Sequence, residues 1–219
     1  MKNLIICGSG AFARELYWHA LESIGFNTEW NIKGFLDGSV KLPEEAYQKL
    51  PLPVLGNYRD YKIEKNDVFT CAVGNPYGRK EFINTIEGRG GEFINIIHKT
   101  AIVHHTAQLG KGIILCPFTY IFADAKVMDY AMLEVNAGIG HDAQLGVCSC
   151  MLGFTELCGF SHVGNYVYIG SGARVLPKIK IGNDSFIGAG SVVLVDVDQN
   201  MKVFGNPARP VGMNKLCKQ

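Results

Sequence analysis

Between Ile97 and Val192 this chain repeats every six residues, sixteen times over, without one insertion. The first position of each hexad is aliphatic or Met, from Ile97, Val103 and Leu109 through Ile139, Leu157 and Val175 to Ile187. The fifth is small or β-branched, as at Ala125, Ala143, Ser161 and Ser191, and Gly recurs at the second in Gly110, Gly140, Gly170 and Gly188. No helix has such a period. One large and one small apolar residue per six means a short strand, a bend and a return to the same direction, the hexapeptide form of a parallel β-helix. Three hexads close a triangular coil: large residues fill the prism, small ones sit near its corners, and the second-position Gly is expected to supply backbone conformations closed to other residues. At roughly 4.8 Å between paired strands, about five coils make a prism on the order of 25 Å tall.

Composition narrows the partners. The 219 residues are 47% hydrophobic and 19% charged with a net charge of +1, enough chain for one or two domains and no reason to expect nucleic acid. There is no run of about 18 apolar residues to span a bilayer. The opening Met1-Lys2-Asn3-Leu4-Ile5-Ile6-Cys7-Gly8 lacks the long apolar region and cleavage site of a signal peptide, so a cytoplasmic protein is expected. The seven cysteines, Cys7, Cys71, Cys116, Cys148, Cys150, Cys158 and Cys217, form no C-x-x-C pair and suit reduced packing thiols; no metal site is expected.

Ahead of the repeat, Leu4 to Cys7 reads as a strand entering Gly8-Ser9-Gly10, and Phe12, Leu16, Leu21 and Ile24 follow at helical spacing up to Gly25. A second strand, Lys33 to Leu36, stops at Asp37-Gly38. A third, Val68 to Val73, meets Gly74-Asn75-Pro76 before a helix through Phe82 and Ile86, and a fourth covers Phe93 to Ile96. The stretch Val40 to Asp60, with Pro43, Pro51 and Pro53, reads as a loose connection. Alternating strands and helices imply a Rossmann-like α/β domain over residues 1–96, followed by a β-helix domain and tail over 97–219. Ligands in such sheets sit beyond the carboxyl ends of the strands, where helix N-termini offer free N–H groups. There Gly8, Ser9 and Gly10 can cradle a diphosphate, Asp37 can accept from a base or sugar, and Gly74, Asn75 and Arg79 can complete the pocket. Fewer than 100 residues precede the repeat, about half of a two-lobed dinucleotide fold, which favours one nucleotide over NAD. The plainer alternative is that these glycines only make tight turns.

In a hexad prism, residues eighteen apart share a column in neighbouring coils. His141, at the third position, points outward, and Gly159 lies one coil above it, at roughly 4.8 Å between backbones. An outward imidazole beside a Gly backbone offers a general base and an N–H for an oxyanion, the two elements acyl transfer needs. Asp142 follows and can hold the imidazole's productive tautomer. Five of the six histidines, His98, His104, His105, His141 and His162, lie in or beside the repeat, so spacing alone does not select among them.

The whole chain resembles the sialic acid O-acetyltransferase and nucleotide-aminosugar N-acetyltransferase family, on the strength of Ile6-Cys7-Gly8-Ser9-Gly10 with Arg14-Glu15, Gly34-Phe35-Leu36-Asp37, Ala72-Val73-Gly74-Asn75 with Arg79, Gly140-His141-Asp142, and Gly205-Asn206-Pro207-Ala208-Arg209. The resemblance implies a left-handed β-helix, acetyl-CoA as co-substrate, homotrimers with active sites between subunits, and His141-Asp142 as catalytic base and its acidic partner. It also implies Gly159 as the donor facing the thioester carbonyl, and CoA contacts at Gly159, Ser171, Ala189, Pro207 and Arg209. Two residues depart from the family pattern: Phe12 stands where many members carry His, and Glu134 where they carry Asn, so Glu134 either meets a substrate amine or faces solvent. The reading that follows is N-acetylation of a dTDP- or UDP-linked 4-amino-4,6-dideoxyhexose in surface glycan synthesis. Alternatives are O-acetylation of sialic acid and a noncatalytic trimeric sugar-nucleotide scaffold. A covalent route through Cys148, Cys150 or Cys158 is disfavoured, because none of these three has a His at an adjacent level of its own column.

Overall fold

A computed structural model describes residues 1–38 and 43–215, so Val40, at the start of the expected loose connection, and Cys217 lie outside the described residues. The chain divides into two compact units, Met1–Lys99 and Thr100–Gln219.

In the first unit the elements are β1 (Lys2–Cys7), α1 (Ala11–Leu21), β2 (Trp30–Asp37), α2 (Glu44–Tyr47), β3 (Val54–Asn57), β4 (Asp67–Cys71), α3 (Pro76–Glu87) and β5 (Glu92–Phe93). They build one parallel sheet in the order β3-β2-β1-β4-β5. The central strands carry apolar runs because both their faces are covered: Leu4, Ile5, Ile6 and Cys7 are fully buried, as is Phe69. Chain order reverses between β1 and β4, which puts the loops after these two strands on either side of a crevice.

Two local differences from the sequence reading have simple causes. The stretch expected to be loose contains α2 and the edge strand β3, whose four residues are all half-buried and include Gly56 at φ +144°, so neither alternation nor an apolar run marks it. Helix α1 stops at Leu21 rather than continuing through Ile24. The Ser23 hydroxyl donates to the His19 carbonyl (2.8 Å) and the Ile24 N–H donates to Ile97 O (2.9 Å), which turns the chain and leaves the Ile24 side chain exposed.

The second unit is a left-handed parallel β-helix of two-residue strands. One face stacks Ile102–Val103, Tyr120–Ile121, Gly138–Ile139, Glu156–Leu157, Arg174–Val175 and Val192–Val193; a second stacks the strands from Gln108–Leu109 to Lys180–Ile181; the third ascends from Ile114–Leu115 to Phe186–Ile187 and ends in Met201–Phe204 and the antiparallel Arg209–Met213. Partners are eighteen residues apart, as in Ile121 with Ile139 and Leu157 with Val175, until the closing turn, where Phe186 pairs with Lys202 at a separation of sixteen. The first and fifth hexad positions fill the interior: Ile139, Ala143, Leu157 and Ser161 are fully buried.

The repeat's special backbone lies elsewhere than the glycine pattern implies. Left-handed φ occurs at the fourth position of every hexad from Gly112 to Gly190, at Asp, Asn, Phe, Tyr, Cys and Lys as well as Gly. Each such non-Gly residue costs about 1–3 kcal/mol of strain, offset by its N–H, which donates to the coil below, as Phe160 does to His141 O at 3.0 Å. The second-position glycines have ordinary φ and are required by close approach instead: a Cβ on Gly146 would stand 2.2 Å from the Gly164 carbonyl oxygen. Gly146→Ala is therefore expected to force two coils apart and lower stability by about 1–3 kcal/mol, read as a fall in the urea midpoint; an unchanged midpoint would contradict the close-approach account.

Candidate active site

His141 ends the bend after strand Gly138–Ile139 and projects from the corner between the first and second faces, its side chain 56% exposed. Its Nδ1 lies 2.9 Å from Asp142 Oδ2. A neutral imidazole that donates from Nδ1 to a carboxylate keeps its lone pair on Nε2. That nitrogen faces Gly159, where an added Cβ would stand 2.6 Å from it, so any larger residue at 159 would displace the ring. Phe160 meets the imidazole edge to face, with centroids 5.1 Å apart and planes at 89°.

The Gly159 N–H has no protein acceptor among the described residues. Two neighbours leave it uncovered: Pro177, eighteen residues on in the coil above, has no side-chain acceptor, and Gly140 in the coil below has no side chain. A Cβ there would lie 2.8 Å from Gly159 N, so only glycine leaves the outward N–H accessible from below. The same relation recurs along the prism: an added Cβ on Gly146 would lie 2.7 Å from Asn165 N, on Gly164 2.8 Å from Asn183 N, and on Gly170 2.6 Å from Ala189 N. Other third-position N–H groups are closed by side chains, Val147 by Asn165 Oδ1 (2.9 Å) and Asn165 by Asn183 Oδ1 (2.8 Å).

The remaining predicted residues of this unit divide by corner. Ser171 and Ala189 share a column on the corner between the third and first faces, away from the His141–Gly159 column. Glu134 leads into that same corner, half-buried, and its carboxylate accepts from the Gly153 N–H of the coil above (3.2 Å), a coil-to-coil role the sequence did not disclose. Pro207 lies in the turn between the two last strands, and Arg209 opens the final one with Nη1 donating to Ala208 O (3.0 Å).

In the first unit, a cavity of about 390 Å³ opens beyond β1, β2 and β4, lined among others by Gly8, Ser9, Gly10, Phe12, Asp37 and Gly74. Helix α1 is preceded by Gly10, which has no side chain to cap it, so its first N–H groups are open to an anion. An adjoining cavity of about 210 Å³ shares Ser9, Gly10 and Ala11 and adds Arg14, Lys49 and Glu45. Asp37 is already engaged: Oδ1 accepts from Ser9 Oγ (2.5 Å) and Gly38 N (2.8 Å), and Oδ2 from Tyr47 OH (2.5 Å). Asn75 and Arg79 do not line the cavity. Asn75 Oδ1 caps α3 through the N–H groups of Tyr77 and Gly78, and the buried Arg79 directs Nε and Nη2 at Val73 O (3.0 and 2.9 Å). Glu81 does line it, although on α3 it reads in sequence as an ordinary solvated charge.

Among the described residues no group of three His, Cys, Asp or Glu could hold a metal ion, and no helix is long and apolar enough to cross a membrane.

Residues 3–86 match the PglD N-terminal domain, and residues 160–194 match the bacterial transferase hexapeptide (six repeats). Serine acetyltransferase 3, mitochondrial, of Arabidopsis thaliana is 39% identical over 111 residues, half of this chain, which spans 26% of that relative's length. Two solved structures align over nearly the whole chain at 25% identity. One is the acetyltransferase domain of PglB from Neisseria gonorrhoeae FA1090 in complex with acetyl coenzyme A, with a TM-score of 0.84 over 96% of this chain and 99% of that one. The other is a single-site mutant of perosamine N-acetyltransferase from Caulobacter crescentus in complex with CoA and GDP-perosamine, with a TM-score of 0.85 over 97% and 98%. Fold and site together define a hexapeptide-repeat, left-handed β-helix acyltransferase. Within that class the chain is similar to the PglB and perosamine acetyltransferases over nearly its whole length, and to the PglD N-terminal domain over residues 3–86.

Of the six described cysteines, five are buried and Cys158, one residue before Gly159, is half-buried. Burial first, then the nearby Glu156 carboxylate, push its thiol up from the usual value, so less of it is thiolate at any given pH. Alkylation of Cys158 by iodoacetamide, followed by mass spectrometry, is expected to be slower at pH 8 than for an exposed thiol and to rise only at more alkaline pH; a rate matching an exposed thiol would contradict this.

Proposed function

We propose that this chain is an acetyl-CoA-dependent N-acetyltransferase acting on a nucleotide-linked 4-amino-4,6-dideoxyhexose in surface glycan synthesis. The observation that carries the reading is His141 held between the Asp142 carboxylate on Nδ1 and Gly159 opposite Nε2. The full-length alignments with proteins described in complex with acetyl-CoA, or with CoA and a nucleotide-linked amino sugar, support it.

The sugar ammonium first releases one proton to solvent, giving the neutral amine that can attack. In the proposed step His141 Nε2 takes the second proton from that amine as the C–N bond forms on the thioester carbonyl, and Asp142 stabilises the imidazolium through Nδ1–H. The carbonyl oxygen, now negative, receives the Gly159 N–H. Collapse breaks the C–S bond, and the imidazolium returns the proton to the leaving sulfur, giving CoA thiol and the acetamido sugar. No acyl-enzyme forms, in keeping with the raised Cys158 thiol pKa.

The N-terminal cavity, with the open N-terminus of α1 and the neighbouring Arg14 and Lys49, is assigned to the nucleoside diphosphate. CoA is assigned to Gly159, Ser171, Ala189, Pro207 and Arg209. Because the Gly159 and Ala189 columns stand on different corners, a CoA touching both would run between two copies of the chain, which supports the homotrimer with shared sites.

Thiol release from acetyl-CoA, followed against a panel of nucleotide-linked amino sugars, tests the assignment. His141→Ala is expected to lower kcat by about 10²–10⁴-fold, and near-wild-type turnover would contradict the general-base role. Sialic acid as the preferred acceptor would redirect the reading to O-acetylation, and background release from the wild-type protein would favour a noncatalytic scaffold.

A further inference from the structure

The N-terminal cavity has one carboxylate whose hydrogen-bonding is incomplete. Glu81 Oε1 accepts from the Tyr58 hydroxyl (2.6 Å) and from Arg59 Nη2, whereas no described protein group donates to Oε2. Tyr58 is itself fixed, fully buried and stacked on Phe82 with centroids 3.9 Å apart. The Tyr58 hydrogen bond, opposed by burial and aided by Arg59, holds the Glu81 carboxyl below its usual value, so it lines the cavity as an ion. Asp37, the carboxylate the sequence points to, differs: both its oxygens already accept from Ser9, Gly38 and Tyr47.

The walls suit a flat aromatic ligand. Phe12, Val73 and Phe82 are apolar, and Gly10 and Gly74 have no atom within 4 Å of where a Cβ would stand, so both rims are open. An ionised carboxylate accepts and cannot donate. Uracil and thymine offer it one N–H between two carbonyl oxygens, which the charge repels; adenine and cytosine offer an amine beside a ring acceptor. Guanine alone presents two adjacent donors, N1–H and the N2 amine.

Resting on the nucleotide-sugar reading above, we propose that the acceptor is a guanosine diphosphate sugar and that Glu81 reads the guanine N1–H and N2–H edge. This departs from the dTDP or UDP expected from sequence. Tyr58 and Arg59 act as positioning residues that hold the carboxylate from behind.

Titration calorimetry of the full chain with GDP, IDP, UDP and dTDP tests the inference. GDP should bind about tenfold or more tightly than UDP or dTDP, and IDP, which lacks the N2 amine, should fall between. Glu81→Gln, which keeps the side chain's shape and an acceptor for Tyr58, should weaken GDP by about tenfold while leaving UDP nearly unchanged. UDP or dTDP binding as well as GDP, or GDP binding undiminished in Glu81→Gln, would overturn the guanine assignment while the nucleotide reading stood. If none of the four bound, both would fall. The GDP and IDP comparison needs no variant and so does not depend on the folding of Glu81→Gln.

Discussion

Coil-to-coil hydrogen bonding at a fixed offset of eighteen residues is the constraint on which the repeat unit depends. Residues 120 and 138, 138 and 156, and 156 and 174 meet in one ladder, and the bends between strands keep the same offset. Side chains that must avoid each other therefore do so within columns, and a residue is limited less by its chain neighbours than by the residues eighteen and nineteen positions away. Gly140 under Gly159 N and the imidazole of His141 under Gly159 are both products of that spacing. A chain with a looser register could hold neither the uncovered N–H nor the ring facing it.

The same constraint accounts for the cost borne at the corners. Every hexad in the body of the prism carries a left-handed residue, and most are not glycine. The arrangement persists because the fourth-position N–H is satisfied by the coil below, as Asp142 is by Ala123 O at 3.0 Å, and because each bend returns an apolar residue to the interior. At Asp142 this backbone serves a second end: the left-handed turn is where the carboxylate reaches His141 Nδ1.

Much of this was legible in the sequence, and the reasons for the rest are specific. Period six and the large and small positions announce the prism, and counting by eighteen puts Gly159 over His141 because the spacing is uninterrupted. The role of Gly at the second position was not legible, since a glycine needed for left-handed φ and one needed for close approach look alike in a chain; the difference appears only in what a Cβ would strike. The strand Val54–Asn57 carries no pattern because its residues are all half-buried. Arg79 and Asn75 look like pocket residues beside Gly74, yet one is turned inward to Val73 O and the other caps its own helix. Glu81 is hidden for the opposite reason: nothing in the sequence ties it to Tyr58 and Arg59, more than twenty residues earlier.

The central claim is that the Gly159 N–H, left open by Gly140 in the coil below and Pro177 in the coil above, receives the acetyl carbonyl beside His141. The backbone amide of Gly159 can be observed directly by nuclear magnetic resonance in protein labelled with nitrogen-15 glycine, as acetyl-CoA is added. The account predicts a large downfield shift of the Gly159 amide proton, absent in spectra with desulfo-CoA, which has no thioester carbonyl to accept it. An unmoved Gly159 resonance while other glycines report saturating acetyl-CoA would contradict it.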